Sequence, residues 1–204
     1  MSIVIDPPQL LFPEKIVTSF DNNFDSYRDD MVNWMVDYSK RHPTVERSNY
    51  GGYQSGDQFY LEDSFAPYMN HISEHITSTV GEYVREGATI SEDIIKLNNM
   101  WFNFNYQNCY NVTHVHPGCI LSGILWVQVP DNDRPVIFES TNQYAKGTYC
   151  DDLIKPFNPT PGTMCIFPSH LPLAPPLPRS RCISLRSSIA WCTACIRADR
   201  KSVV

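Results

Sequence analysis

The chain has no apolar stretch long enough to cross a bilayer, and its N-terminus, M-S-I-V-I-D-P-P, lacks a basic region followed by a long apolar run. Neither a membrane span nor a secretory signal is expected. Positive charge is also scarce: 16 lysines and arginines stand against 22 aspartates and glutamates, a net charge of −6 with a pI near 5.4. That balance gives no broad attraction for a phosphate backbone, so nucleic acid is a poor expectation as partner. The seven cysteines, at 109, 119, 150, 165, 182, 192 and 195, are odd in number and scattered, which indicates no disulfide framework and points to a reducing cytoplasm. What the chain does have is ordinary globular composition, 42% hydrophobic, 19% charged and 12% aromatic. Its 204 residues suit one domain with a full core.

Hydrophobic periodicity divides the chain in two. Residues 1 to 20 hold short apolar patches broken by Pro7, Pro8 and Pro13, which favours extended pieces. Phe24, Tyr27, Met31, Trp34 and Tyr38 then recur at helical steps and predict a helix over 23–40, stopped near His42-Pro43. A glycine-rich polar loop over 44–58 leads to a second helix over 61–85, with Pro67 marking a possible start. From Ile95 the period shortens to two, predicting strands at 99–106, 110–115, 119–129 and 135–139, and another entered from the turn in P-T-P-G-T-M-C-I-F-P, 159–168. Residues 171–181 carry four prolines and read as extended loop, 182–191 as a final strand and 197–204 as a frayed end. Short strands after two helices suggest an antiparallel barrel or sandwich with the helices on its outside.

Two short motifs have weak chemical content. H-I-S-E-H, 71–75, matches the H-x-x-E-H pattern of inverted zinc peptidases, but without a second zinc signal a half-exposed helix face is the expected role of His71, Glu74 and His75. Cys192-Thr193-Ala194-Cys195 is a lone C-x-x-C, more often incidental than a metal or redox site.

The stretch that stands out is Asn111 to Gly123, N-V-T-H-V-H-P-G-C-I-L-S-G. His114 and His116 are one residue apart, so on an extended strand both imidazoles face the same way and one metal ion can take both. Imidazole suits Fe, Zn, Cu and Ni alike, and a third ligand has to come from elsewhere. His170 is the only histidine downstream of the pair. Trp126, Tyr106 and Tyr110 are candidates to line a pocket, though core packing is the commoner use of such residues.

The chain also resembles the Fe(II)/2-oxoglutarate oxygenases common in phages and marine bacteria, related to the prolyl hydroxylase branch. The resemblance is carried by S-N-Y-G-G-Y-Q-S (48–55), W-F-N-F-N-Y-Q-N-C-Y-N-V-T-H-V-H-P-G-C-I-L-S-G-I-L-W-V-Q-V-P (101–130), P-V-I-F-E (135–139) and P-G-T-M-C-I-F-P-S (161–169). It implies a double-stranded β-helix, or jelly roll, within an α+β, mainly β fold: a helical part over 1–95, the jelly-roll core over 96–192 and a tail over 193–204. It further implies bound ferrous iron with 2-oxoglutarate and O₂ as co-substrates. His114 matches the first ligand of the oxygenase H-x-D motif, and His116 occupies its carboxylate position.

The sequence departs from that pattern towards its end. Similar sequences place a distal histidine four positions beyond the serine of F-P-S, where this chain has Leu173. His170 is the candidate replacement, although a three-residue shift on a strand turns a side chain to the other face. The arginine expected to pair with the distal carboxylate of 2-oxoglutarate has two candidates, Arg181 in R-C-I-S and Arg186 in R-S-S, with Tyr110 as a further co-substrate contact. Three functions follow: an oxygenase hydroxylating an unidentified substrate, a cupin-like metal protein with Glu139 as a remote carboxylate, or a jelly-roll binding protein that has lost the distal ligand. A homodimer is compatible with any of them.

Overall fold

Two helices form where the 3.6-residue period is strongest. In the computed structural model, which describes residues 14–85, 95–106, 109–129, 136–141, 154–174 and 189–198, helix α1 spans Arg28–Arg41 and buries Met31, Met35 and Tyr38 along one stripe. Asp29 and Asp30 lie in its first turn and Lys40 and Arg41 in its last, matching the helix dipole. His42, ahead of Pro43, is already extended, with φ −123 and ψ 133. The helix starts later than its period predicts: Phe24–Ser26 is a 3-10 turn and Tyr27 has φ −128. The Asp21 carboxylate accepts hydrogen bonds from the Tyr27 hydroxyl at 2.7 Å and the Asn23 amide at 2.8 Å, which holds this segment as a turn. Helix α2 is Ala66–Arg85; the first residues of the helix expected from Leu61 are instead a 3-10 turn at Asp63–Phe65, preceded by another at Phe59–Leu61. Pro67 sits in its first turn, where a missing N–H leaves no hydrogen bond unmade.

The strands are β1 (Val17–Phe20), β2 (Asn49–Tyr50), β3 (Tyr53–Gln54), β4 (Ile95–Asn105), β5 (Tyr110–Asn111), β6 (Leu121–Gln128), β7 (Val136–Glu139), β8 (Ile154–Phe157), β9 (Thr163–Pro168), β10 (Leu173–Ala174) and β11 (Ile189–Ala198). They form a six-stranded sheet in the order β1-β9-β6-β11-β4-β3, a three-stranded sheet β10-β7-β8 and a ribbon β2-β5. Every strand pairing among the described residues is antiparallel. β8 carries Pro156, which hides it from pattern reading but suits the sheet edge it occupies. The expected strand over 110–115 stops at Asn111. The last described strand, Ile189–Ala198, continues past the expected end at 191 and lies between β4 and β6, so Arg197 and Ala198, expected in the frayed end, are part of the sheet and the C-x-x-C lies inside it. Residues 182–188 lie outside the described residues.

Strand alternation sorts the core into two clusters. Met100, Phe102 and Phe104 of β4, Leu121, Leu125 and Val127 of β6, and Met164 and Ile166 of β9 face the helices and pack with Phe24, Met31, Met35, Tyr38, Phe59, Phe65 and Ile72. Ile124 and Trp126 of β6 and Cys165 and Phe167 of β9 face the other way, onto Val136 and Phe138 of β7 and onto Leu171 and Leu173. The turn into β9 needs Gly162, whose φ is +86 and whose missing β-carbon would stand 3.0 Å from the rings of Phe20 and Phe24.

A polar clasp ties α2 to β1. Thr79 Oγ1 donates to the His75 carbonyl at 2.7 Å, so its 2.6 Å contact with Ser19 must use the Ser19 proton. His75 Nε2–H then donates to Ser19 Oγ at 2.7 Å, which leaves Nδ1 buried as a bare acceptor. His71, in contrast, is exposed and stacks on Tyr27 with ring centroids 4.3 Å apart, so the H-x-x-E-H histidines have separate structural roles. Burial holds His75 below the ordinary imidazole value, with the Asp21 charge opposing it. A depressed histidine leaves stability intact above the unfolded value of about 6.5 and removes it as pH falls below, because only the unfolded chain then takes up the proton. His75→Gln is expected to flatten the acid side of the melting-temperature profile relative to wild type. An unchanged slope in pH-dependent thermal melts would contradict this.

Candidate metal centre

His114 and His116 lie in the segment that crosses from β5 to β6. His114 is no longer in a ladder but makes one isolated antiparallel bridge: its N–H reaches the Leu173 carbonyl at 3.2 Å and the Leu173 N–H reaches its carbonyl at 3.1 Å. The His116 amide donates to the Ser169 carbonyl at 2.9 Å, so the backbone at both histidines is anchored to the segment after β9. The rings come together as their spacing predicts, with centroids 5.0 Å apart and an interplanar angle of 62°.

Hydrogen bonding fixes which nitrogen each ring presents. His114 Nδ1 lies 2.8 Å from the Val112 carbonyl, which only accepts, so Nδ1 carries the proton and Nε2 is bare. His116 Nδ1 lies 2.6 Å from Ser122 Oγ, which lies 2.8 Å from Ser169 Oγ. His116 Nε2 is buried with no partner. A proton on that atom would be an orphaned buried donor, so the favoured arrangement runs from Nδ1–H to Ser122 and from Ser122 to Ser169, leaving a lone pair on Nε2. Burial pushes His114 below the ordinary imidazole value, partly offset by its backbone hydrogen bond. Burial, followed by the adjacent His114, pushes His116 down to about 4. Both rings are neutral at pH 7, the form that ligates metals. Trp101 of β4 closes one side, edge-on to His116 at 5.4 Å, and Phe167 stands 6.3 Å away on β9.

The other candidates fall elsewhere. His170 is on the turn before β10, its side chain 64% exposed and its Nε2 3.0 Å from Glu14 Oε1, so the structure does not bring it to the pair. Leu173 stands there instead, bridged to His114 and 3% exposed. Among the described residues no three histidine, cysteine, aspartate or glutamate side chains converge as a metal-ligand set. Arg181 and Arg186 lie outside the described residues. Tyr110 is half-buried on β5, its ring 5.1 Å from that of Tyr50 on β2. Tyr106 is exposed, whereas Trp126 is core, packed against Phe157 at 5.3 Å. Glu139 is half-buried on β7, and its amide binds the Pro172 carbonyl. Sequence reasoning gave no role to Ser122, Ser169 or Trp101. The first two belong to the L-S-G and F-P-S motifs, so the signal was present without its chemistry.

The donor set fits a divalent metal in part: two adjacent imidazoles with bare Nε2 atoms are present, and a third protein ligand is absent among the described residues. Residues 99–190 match the family described as "Putative 2OG-Fe(II) oxygenase". No curated protein matches the sequence. The fold is similar to a Pseudomonas putida prolyl-4-hydroxylase, at 11% identity over 91% of this chain and 94% of that one with a TM-score of 0.58. It is similar to the viral collagen prolyl hydroxylase vCPH of Paramecium Bursaria Chlorella virus-1, solved as a 2-oxoglutarate complex, at 10% identity over 90% and 97% with a TM-score of 0.53. HygX from Streptomyces hygroscopicus, solved with nickel and 2-oxoglutarate bound, matches at 6% identity over 91% and 83% with a TM-score of 0.57. Residues 99–190, the segment that matches that family, hold both histidines and strands β5 to β10.

Proposed function

We propose that the protein is an Fe(II)- and 2-oxoglutarate-dependent oxygenase whose metal is held by His114 Nε2 and His116 Nε2. The observation that carries this is the pair of adjacent, neutral imidazoles, His116 buried and His114 half-buried, whose Nδ1 atoms are already spent on Ser122 and Val112. In this reading the six- and three-stranded sheets are the two walls of a jelly roll, with the helices outside. Bound iron would supply the activation of O₂, one oxygen atom entering the succinate left when 2-oxoglutarate loses CO₂ and the other entering a substrate C–H bond.

The residues of this chain have narrower tasks. Ser122 and Ser169 hold the His116 tautomer, the Val112 carbonyl holds that of His114, and Trp101 and Phe167 exclude water from one side of the rings. Neither histidine offsets the metal's charge as a carboxylate ligand would, so a dianionic chelator such as 2-oxoglutarate gains more from this site than from one with a carboxylate in the set. The primary substrate is not defined by these contacts.

A second reading, a binding protein descended from an oxygenase, is favoured by Leu173 standing beside His114 where similar sequences carry a histidine. Anaerobic titration with Fe(II) and 2-oxoglutarate separates the two. The oxygenase reading expects a visible metal-to-ligand charge-transfer band that His114→Ala abolishes. Metal binding unaffected by 2-oxoglutarate, or no binding of either, would leave the second reading.

A further inference from the structure

Four asparagines, three of them buried and Asn49 half-buried, form a relay on the same side of the sheet as the histidine pair. On β4, Met100, Phe102 and Phe104 face the helices, so Trp101, Asn103 and Asn105 face the opposite way, and Trp101 touches His116. Asn103, Asn105 and Asn111 are 1%, 6% and 5% exposed.

The orientation of each amide follows from one backbone group. Asn49 Oδ1 accepts the Gly52 N–H at 3.0 Å, which fixes Asn49 with its Nδ2 turned inward. That Nδ2 donates to Asn105 Oδ1 at 2.7 Å and approaches Asn103 Oδ1 at 3.4 Å. Asn105 is thereby left to aim its own Nδ2 at Asn111 Oδ1, 3.4 Å away. Asn103 must keep its oxygen towards Asn49, and its Nδ2 is buried with no partner. Gly52 is needed for this approach: a β-carbon there would lie 2.3 Å from the Phe104 carbonyl and 2.5 Å from Asn49 Oδ1. The free group is therefore a donor by the logic of the network, and a buried donor calls for an oxygen acceptor.

We propose that Asn103 Nδ2 donates a hydrogen bond to an oxygen of 2-oxoglutarate, and that Asn49 is the positioning residue that makes Asn103 present its donor end. The inference rests on the oxygenase reading of the histidine pair. Asn103 is two residues from Trp101 along an extended strand, a step of about 6 to 7 Å, comparable to the length of a five-carbon dicarboxylate whose other end sits at the histidines. A carboxylate oxygen is also the strongest acceptor an uncharged amide can meet.

The test is anaerobic titration of the Fe(II)-loaded full chain with 2-oxoglutarate, following the charge-transfer band, with Fe(II) affinity measured separately by chelator competition. Asn103→Leu removes the donor at similar volume. Asn49→Asp keeps the acceptor for Gly52 but replaces the inward donor with an acceptor, so Asn103 turns its Nδ2 towards it and presents oxygen to the co-substrate. Both variants are expected to weaken 2-oxoglutarate at least 10-fold while Fe(II) affinity stays within twofold. Unchanged 2-oxoglutarate affinity in folded Asn103→Leu, or in Asn49→Asp should the first variant fail to fold, overturns the proposal and leaves the oxygenase reading standing. A parallel loss of Fe(II) affinity also overturns it, by reducing the relay to a structural role. A wild-type protein that binds Fe(II) but gives no band with 2-oxoglutarate overturns both.

Discussion

Leu173→His is expected to raise Fe(II) affinity by more than the roughly 10- to 100-fold that outer-shell partners contribute to metal sites, because it adds a ligand rather than orienting one. Leu173 and His114 are direct partners in an antiparallel bridge, with both backbone hydrogen bonds formed at 3.1 and 3.2 Å. Partners of that kind place their β-carbons about 4.5 to 5.5 Å apart on one face, so an imidazole at 173 starts beside the His114 ring. The apo variant should lose stability, since Leu173 is 3% exposed among Ile124, Trp126, Phe138 and Phe167 and a polar ring there costs about 1 to 3 kcal/mol. Metal should restore it, because the unfolded chain holds no formed site. The signature is a variant that melts below wild type without metal and above it with Fe(II). A folded variant with wild-type affinity would show that position 173 does not address the histidine pair.

The second large effect is expected at Ser122, which is fully buried and stands between His116 Nδ1 and Ser169 Oγ. Ser122→Ala removes the acceptor that keeps the His116 proton on Nδ1. The ring then has no reason to leave Nε2 bare, and a protonated Nε2 cannot bind metal. Loss of such an outer partner typically lowers affinity about 10- to 100-fold, and the unpartnered Nδ1–H should cost about 1 to 3 kcal/mol of stability. Isothermal titration with Zn(II) and thermal melts measure the two separately. Full metal affinity in Ser122→Ala would mean that the tautomer is set by something other than this hydrogen bond.

Much of this arrangement is legible in the sequence for identifiable reasons. The stripe of Met31, Met35 and Tyr38 and the alternation of Met100, Phe102 and Phe104 against Trp101, Asn103 and Asn105 follow directly from the periods of helix and strand. The histidine pair is visible because one intervening residue places both rings on one side. Other features depend on contacts between distant segments. The start of α1 is set by the Asp21 carboxylate, and the extent of β11 by ladders to β4 and β6. β8 is obscured by Pro156, which an edge strand tolerates. The roles of Ser122 and Ser169 appear only when β6 and β9 pair and place Ser122 within reach of both His116 and Ser169. Leu173 illustrates both sides: the motif spacing marks the position as unusual, and the bridge to His114 supplies the physical consequence.

His114 Nε2 and His116 Nε2 are the proposed metal-binding atoms, and long-range proton–nitrogen correlation on histidine-labelled protein tests that assignment most directly. Before metal is added, both residues should show the Nδ1–H tautomer, while His75 shows the Nε2–H tautomer that its bond to Ser19 requires. On titration with Zn(II), a diamagnetic substitute for Fe(II), the Nε2 signals of His114 and His116 should move together with the largest shifts of the six histidines in the chain. Zn(II) that shifts other histidines and leaves these two unchanged would contradict the account.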